Sequence, residues 1–102
     1  MAYEIEWADS AIAGLLEAIE YISRDSPSYA ASLAVHAERT ASTLNELPNR
    51  GRRVPEYNDS NVREVFVSSY RLIYRVGESV VSVIAFVHTA RDLTAFVEST
   101  EP

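Results

Sequence analysis

The sequence predicts a single α+β domain, in which an N-terminal strand and an antiparallel helical hairpin pack on a small antiparallel sheet ending in a three-stranded meander. The main observation is a change of period, because apolar residues recur at helical spacing before residues 49–60 and alternate with polar residues after them. The 102-residue chain is also too short to bury two adequate cores. We therefore expect one domain over residues 1–102, with a disordered tail at 99–102.

The first two elements are a strand and a helix. Residues 2–7 alternate between apolar and polar side chains, which is typical of a strand. Asp9 or Ser10 can cap the helix that follows, because both side chains accept a hydrogen bond from a free backbone N–H. The apolar residues at helical spacing in this helix, which we expect to be buried, are Ile12, Leu15, Leu16, Ile19 and Ile22.

A second helix begins at Ser26 and Pro27, with serine as the N-cap and proline in the first turn. Pro48 ends it, and residues 49–60 then form an irregular connection rich in turn-forming residues. The expected buried stripe of the second helix is Ala30, Leu33, Ala34, Ala37, Ala41, Leu44 and Leu47.

The meander is predicted from three alternating runs within residues 62–93. The turns between them, Ser68-Ser69 and residues 77–79, have the length and composition of hairpin loops. Alternation places Glu64 on the opposite face from Arg63. The sequence leaves residues 90–98 open, either as a short helix or as a segment over a sheet edge.

Composition and charge exclude several classes of protein. The chain has no cysteine, and its net charge of −6 is unfavourable for binding a polyanion unless basic residues gather on one face. No apolar run reaches membrane-spanning length, and the first seven residues do not resemble a signal peptide. We expect a cytoplasmic protein that binds no membrane, metal or cofactor.

Arginines are the main candidates for binding. All nine basic residues are arginines, which suit carboxylates and phosphates but exchange no proton near neutral pH. Arg71 and Arg75 project from one strand and could form an anion-binding surface, with solvated ion pairs on an exposed sheet face as the equally weighted alternative. The connection adds Arg52 and Arg53, and Arg91 follows the last strand. On an exposed face, Arg71 would contribute little to stability, so its removal would weaken partner binding without unfolding the domain.

The run YRLIYRV at 70–76, a valine-rich strand and then HTARDL at 88–93 resemble the C-terminal half of the RelE/ParE superfamily of bacterial toxins from type II toxin-antitoxin pairs. The N-terminal order of one strand and two helices fits the same resemblance. It implies that Arg71 stands where the RNA-cleaving members contact phosphate, with Arg63 and Arg91 near two other basic positions. His88 is the group that could exchange protons, although a strand-end histidine bonded to backbone or to Asp92 is the favoured interpretation.

The sequence also differs from the RNA-cleaving members of this superfamily at several positions. Val65 stands where a second basic residue is expected, lysine is absent, and no tyrosine follows Arg91. The resemblance therefore favours the ParE-like branch, which implies a non-enzymatic toxin that inhibits DNA gyrase, arrests growth and stabilises plasmids. A cognate antitoxin would neutralise it, usually in a heterotetramer. The alternatives are a RelE-like endoribonuclease that cuts mRNA at the ribosome and a non-toxic member that only binds its antitoxin.

Overall fold

The computed structural model describes residues 2–91, 93 and 94. The elements follow the predicted order, and their bounds are β1 Glu4–Trp7, α1 Asp9–Ser23, α2 Pro27–Thr43, β2 Arg52–Arg53, β3 Val62–Val67, β4 Tyr70–Val76 and β5 Val80–His88. The tail expected at 99–102 lies outside the described residues, as does most of the segment 90–98 that the sequence left open. Within the described part of the chain, neither helix has the length and hydropathy needed to cross a bilayer.

The strands form one sheet in the order β1-β5-β4-β3-β2. β2 to β5 pair antiparallel, whereas β1 pairs in parallel with β5. The α+β class is confirmed, and the sheet is mixed because the helical hairpin and the meander supply the long connection that a parallel pair requires. The predicted irregular connection contains the short strand β2, which adds to the edge of β3.

Both predicted hairpin loops are present. Val67 pairs with Tyr70 across the two-residue loop between β3 and β4. Ser68 has a φ of 55°, in the left-handed region that such tight loops use. A tight loop fixes the strand register and therefore which side chains share a face. Here it places Glu64 and Arg71 on the same face of the sheet, since Arg71 pairs with Phe66.

The start of α2 matches the prediction. The Ser26 side chain accepts a hydrogen bond from the Tyr29 N–H, and Pro27 is the first helical residue. The expected burial of Leu47 is wrong, because the helix ends at Thr43 and Leu47 is 61% exposed. The buried residues of the predicted stripe are Ala30, Leu33, Ala37, Ala41 and Leu44.

The predicted cap of α1 is wrong. Ala8 occupies the N-cap position and makes no side-chain cap bond, while Asp9 is already helical. The Ser10 hydroxyl instead donates to the carbonyl oxygen of Ile84, at 2.6 Å. It ties the helix to β5 and is therefore not available for capping.

The predicted buried face of α1 is also wrong in part. Ile12 and Leu16 are 42% and 59% exposed, and the buried residues of the helix are Ala11 and Ala18. The small residues face β5 because the helix lies very close to it: a Cβ on Gly14 would lie 2.3 Å from the Phe86 carbonyl oxygen. Large side chains on that face would prevent this approach.

Both faces of the sheet are covered. The cluster between the helices and the sheet includes the buried residues Leu33, Leu44, Leu72, Tyr74 and Phe86. On the opposite face, Val54 and Tyr57 of the connection and the C-terminal Leu93 join buried strand residues in a smaller cluster. This second face, away from the helices, carries most of the charged side chains considered below.

Replacing Gly14 with alanine should lower the free energy of unfolding by about 1–3 kcal/mol, because the added methyl group meets the backbone of β5. Helix propensity alone predicts the opposite sign, a gain of about 1 kcal/mol. Urea unfolding measures the difference, with Ala13→Gly at the exposed neighbouring position as the control for propensity. A stabilised Gly14→Ala variant would contradict the close approach of α1 to β5.

Candidate functional site

Four charged side chains meet on the sheet face away from the helices: Arg52, Glu56, Glu64 and Arg71. We call them the arginine–carboxylate cluster. Arg52 of β2 lies directly opposite Glu64 of β3, and Arg71 of β4 is diagonal to Glu64 across the next strand pair. Glu56 comes from the connection between β2 and β3. Three neighbouring strands and one loop therefore position the cluster.

The hydrogen bonds join these four side chains in a continuous chain. The Arg71 Nε donates to Glu64 Oε1, and its Nη1 and Nη2 donate to Glu56 Oε2 and Oε1 at 3.0 and 2.9 Å. The Arg52 Nε donates to the second Glu64 oxygen at 2.6 Å, and its guanidinium lies 5.3 Å from the centroid of the Phe66 ring. Both Glu64 oxygens and all three Arg71 nitrogens are thus bonded.

Burial differs sharply along the cluster. The side chains of Glu64 and Arg71 are 0% and 7% exposed, whereas those of Glu56 and Arg52 are 35% and 59% exposed. The hydrogen bonds from Arg71 hold the pKa of Glu56 below its usual value of 4.5, and those to Glu56 raise the pKa of Arg71. With two arginines and two glutamates, the cluster has no net formal charge.

The expectation that Arg71 faces solvent is therefore wrong. Its guanidinium is buried because Glu64 reaches it from the adjacent strand and Glu56 folds over it from the connection. Alternation along β3 correctly predicted that Glu64 lies on the opposite face from Arg63, but it did not predict the contact with Arg71. Glu56 was not predicted as a site residue, and its position depends on the path of an irregular segment.

The other arginines proposed for partner binding differ in exposure and in ion pairing. Arg75 shares the face of Arg71 and lies 3.5 Å from Asp59, with a side chain that is 33% exposed. Arg53 and Arg91 are exposed and form no ion pair with any described residue. Carboxylates pair with both Arg71 and Arg75, as in the ion-pair alternative considered for these two residues, although Arg71 is buried and not solvated.

The residues considered for RNA cleavage do not come together. Arg63 lies on the helix-facing side of β3 and donates to the Gly51 carbonyl oxygen at 2.8 Å. His88 also lies on the helix-facing side of the sheet, edge-on to the Tyr70 ring with a centroid distance of 5.3 Å. Arg71 projects from the opposite face. Only His88 and Arg91 remain neighbours.

His88 is bonded as a strand-end residue. The Ala90 N–H donates to its Nδ1 at 3.1 Å, so the neutral ring carries its proton on Nε2. The backbone interaction predicted from sequence is thus present, whereas the alternative partner Asp92 lies outside the described residues.

A cleft of about 540 Å³ opens between the second half of α1 and the ends of β4 and β5. Its floor includes the stacked rings of Tyr70 and Phe86, 5.1 Å apart, and burial raises the pKa of Tyr70. Glu17, Glu20 and Arg24 of α1 also line the cleft, together with His88 and Arg91. Over residues 2–91, 93 and 94, no group of three or more histidine, aspartate or glutamate side chains could hold a metal ion.

Acid should destabilise the protein partly through Glu56. Because the folded-state pKa of Glu56 is depressed, its contribution to stability is present above the unfolded pKa and is lost as the pH falls through the lower folded value. The difference in stability between the wild type and Glu56→Gln should therefore shrink below about pH 4.5. Urea unfolding between pH 7 and pH 3 measures it, and a difference independent of pH would contradict the ion pair.

Comparison with known proteins gives a family match. Residues 5–93 match the family described as the ParE toxin of the type II toxin-antitoxin system, parDE. No curated protein sequence matches the chain.

Two solved structures are similar in fold. A chain of the chromosomal ParDE toxin-antitoxin system from P. aeruginosa is 17% identical with a TM-score of 0.70, over 85% of this chain and 96% of that chain. A chain of the toxin-antitoxin complex RelBE2 from Mycobacterium tuberculosis is 19% identical with a TM-score of 0.58, over 86% of this chain and 99% of that chain.

Proposed function

Because the chain belongs to the ParE toxin family of type II toxin-antitoxin systems, we propose that it inhibits DNA gyrase and that a cognate antitoxin neutralises it. In this proposal the protein acts by binding and carries out no chemical step. In this proposal the protein acts in the cytoplasm, where inhibition of gyrase arrests growth. If a plasmid encodes the toxin and its antitoxin, the pair also stabilises that plasmid.

The observation that carries the proposal is that Arg71 is paired with two carboxylates and separated from His88. A ribonuclease must direct cations at the scissile phosphate and hold a proton-transferring group beside them. Here two carboxylates neutralise the Arg71 guanidinium, and His88 lies on the other face of the sheet. This arrangement supports binding over RNA cleavage.

The antitoxin is proposed from similarity to two toxin-antitoxin structures. The exposed Arg52, Arg53 and Arg91 are the side chains that we propose to contact a partner, antitoxin or gyrase. Arg75, whose side chain is 33% exposed, is a further candidate. Arg71 is not among the side chains proposed for direct contact, because its side chain is 7% exposed and already pairs with Glu56 and Glu64. The toxin and antitoxin are expected to assemble as a heterotetramer.

The test is a supercoiling assay with purified gyrase, relaxed plasmid and the purified protein. The wild type should inhibit supercoiling, and prior addition of the cognate antitoxin should restore it. His88→Ala should inhibit as well as the wild type does, because a gyrase-binding protein needs no proton transfer. In cells, expression should induce the DNA-damage response.

Two outcomes would contradict the proposal. Undisturbed supercoiling together with mRNA cleavage at the ribosome would indicate a RelE-like nuclease. Undisturbed supercoiling and intact mRNA, with retained antitoxin binding, would indicate a non-toxic family member.

A further inference from the structure

Glu56 covers the part of Arg71 that an anion would bind. Its two carboxylate oxygens accept from Nη1 and Nη2 of Arg71 at 3.0 and 2.9 Å, one oxygen to each nitrogen. A paired contact of this kind is how arginine binds two oxygens of a carboxylate or a phosphate. Glu56 thus occupies the positions that two phosphate oxygens would take.

The two glutamates on Arg71 have different roles. Glu64 is completely buried and bonds the inner nitrogen Nε, while its other oxygen is held by Arg52. The Glu56 side chain is 35% exposed and comes from a loop. Removing Glu56 would therefore open Nη1 and Nη2 to solvent while Glu64 still anchors the guanidinium.

Removing Glu56 would also make the charge of the cluster more favourable for binding an anion. The arginine–carboxylate cluster has no net formal charge with Glu56 present, because its two arginines balance its two glutamates. Without the Glu56 carboxylate it carries one positive formal charge, because Glu64 alone then balances Arg52 and Arg71. Burial weakens the screening of such a charge by solvent and so strengthens its attraction for an anion.

We propose that Glu56 is a specificity-determining residue that keeps phosphate anions off Arg71. The Arg71 guanidinium is a latent phosphate site that this chain closes with its own carboxylate. In the context of the proposed function, Glu56 lets the toxin keep an arginine at this strand position without binding RNA there. Exclusion of phosphate by Glu56 depends on the contacts within the cluster and not on which target the toxin inhibits.

The test compares Glu56→Ala and Glu56→Gln with the wild type. Binding of inorganic phosphate is measured by calorimetry, and the Arg71 Nε–H resonance is followed by NMR during the titration. The control is Glu20→Ala, which removes the same charge from an exposed pair with Arg24. Both Glu56 variants should bind phosphate at least tenfold more tightly than the wild type and Glu20→Ala, with a shift of the Arg71 resonance.

Equal phosphate affinity in the Glu56 and Glu20 variants would overturn the proposal, and so would tighter binding that leaves the Arg71 resonance unmoved. The thermal midpoint of each variant establishes that it is folded, and Glu56→Gln keeps the side-chain volume in case Glu56→Ala does not fold. Gyrase inhibition is assayed separately. Its absence would leave the phosphate result intact, and a failure to bind phosphate would leave the gyrase proposal untouched.

Discussion

Replacing Arg71 with alanine is expected to lower the free energy of unfolding by about 3–5 kcal/mol. The Glu64 carboxylate is completely buried, and without Arg71 its remaining ion pair is the one with the largely exposed Arg52. A buried charge that has lost its main partner is strongly destabilising. Urea unfolding at neutral pH measures the loss, which should be accompanied by a lower thermal midpoint.

The control for this variant is Arg24→Ala. Arg24 pairs with Glu20 across one helical turn, and both side chains are more than two-thirds exposed. Such a surface pair contributes about 0–1 kcal/mol. If Arg71→Ala cost no more than Arg24→Ala, Arg71 would have to face solvent, as the strand pattern alone suggested.

Glu64→Ala should be destabilising by a similar amount, about 3–5 kcal/mol. It removes the carboxylate that bonds both Arg52 and Arg71 and leaves the Nε of a buried arginine without its partner. The same unfolding measurement applies. Because Arg71 keeps its paired contact with Glu56, the variant is expected to remain folded at low urea concentration.

Glu56→Ala is the matched comparison for Glu64→Ala. Both variants remove one carboxylate from Arg71, but Glu56 is partly exposed and water can replace its oxygens. We expect a cost of about 1–2 kcal/mol for it. Equal losses for the two variants would contradict the division between a buried anchor at Glu64 and an outer cover at Glu56.

The elements of this fold were predictable because their signals are local. The Ser26 cap is set by residues a few positions apart, and the loop at Ser68 fixes the register of the hairpin around it. Alternation along β3 correctly placed Glu64 on the opposite face from Arg63, and alternation along β4 placed Arg71 and Arg75 on one face. The sequence pattern was sufficient for these features but not for the equally local N-cap of α1, because the Ser10 hydroxyl bonds to Ile84 instead.

The errors concern tertiary contacts. Periodicity marked Ile12 and Leu16 as buried because they are large and apolar, whereas the close approach at Gly14 places small residues against the sheet. Likewise, alternation placed Arg71 and Arg75 on one face of β4 but did not show that a carboxylate covers Arg71. The cover is Glu56, and its position depends on how an irregular segment folds back over the sheet.

Carboxylates hold Arg71, and the central proposal is that the protein therefore does not cleave RNA. Its most direct test is to add the purified wild-type protein to ribosomes translating a defined mRNA and to map the 5′ ends of the products by primer extension. The account predicts intact mRNA from a preparation that inhibits gyrase supercoiling. Codon-specific cleavage by the wild type, lost in His88→Ala, would contradict it.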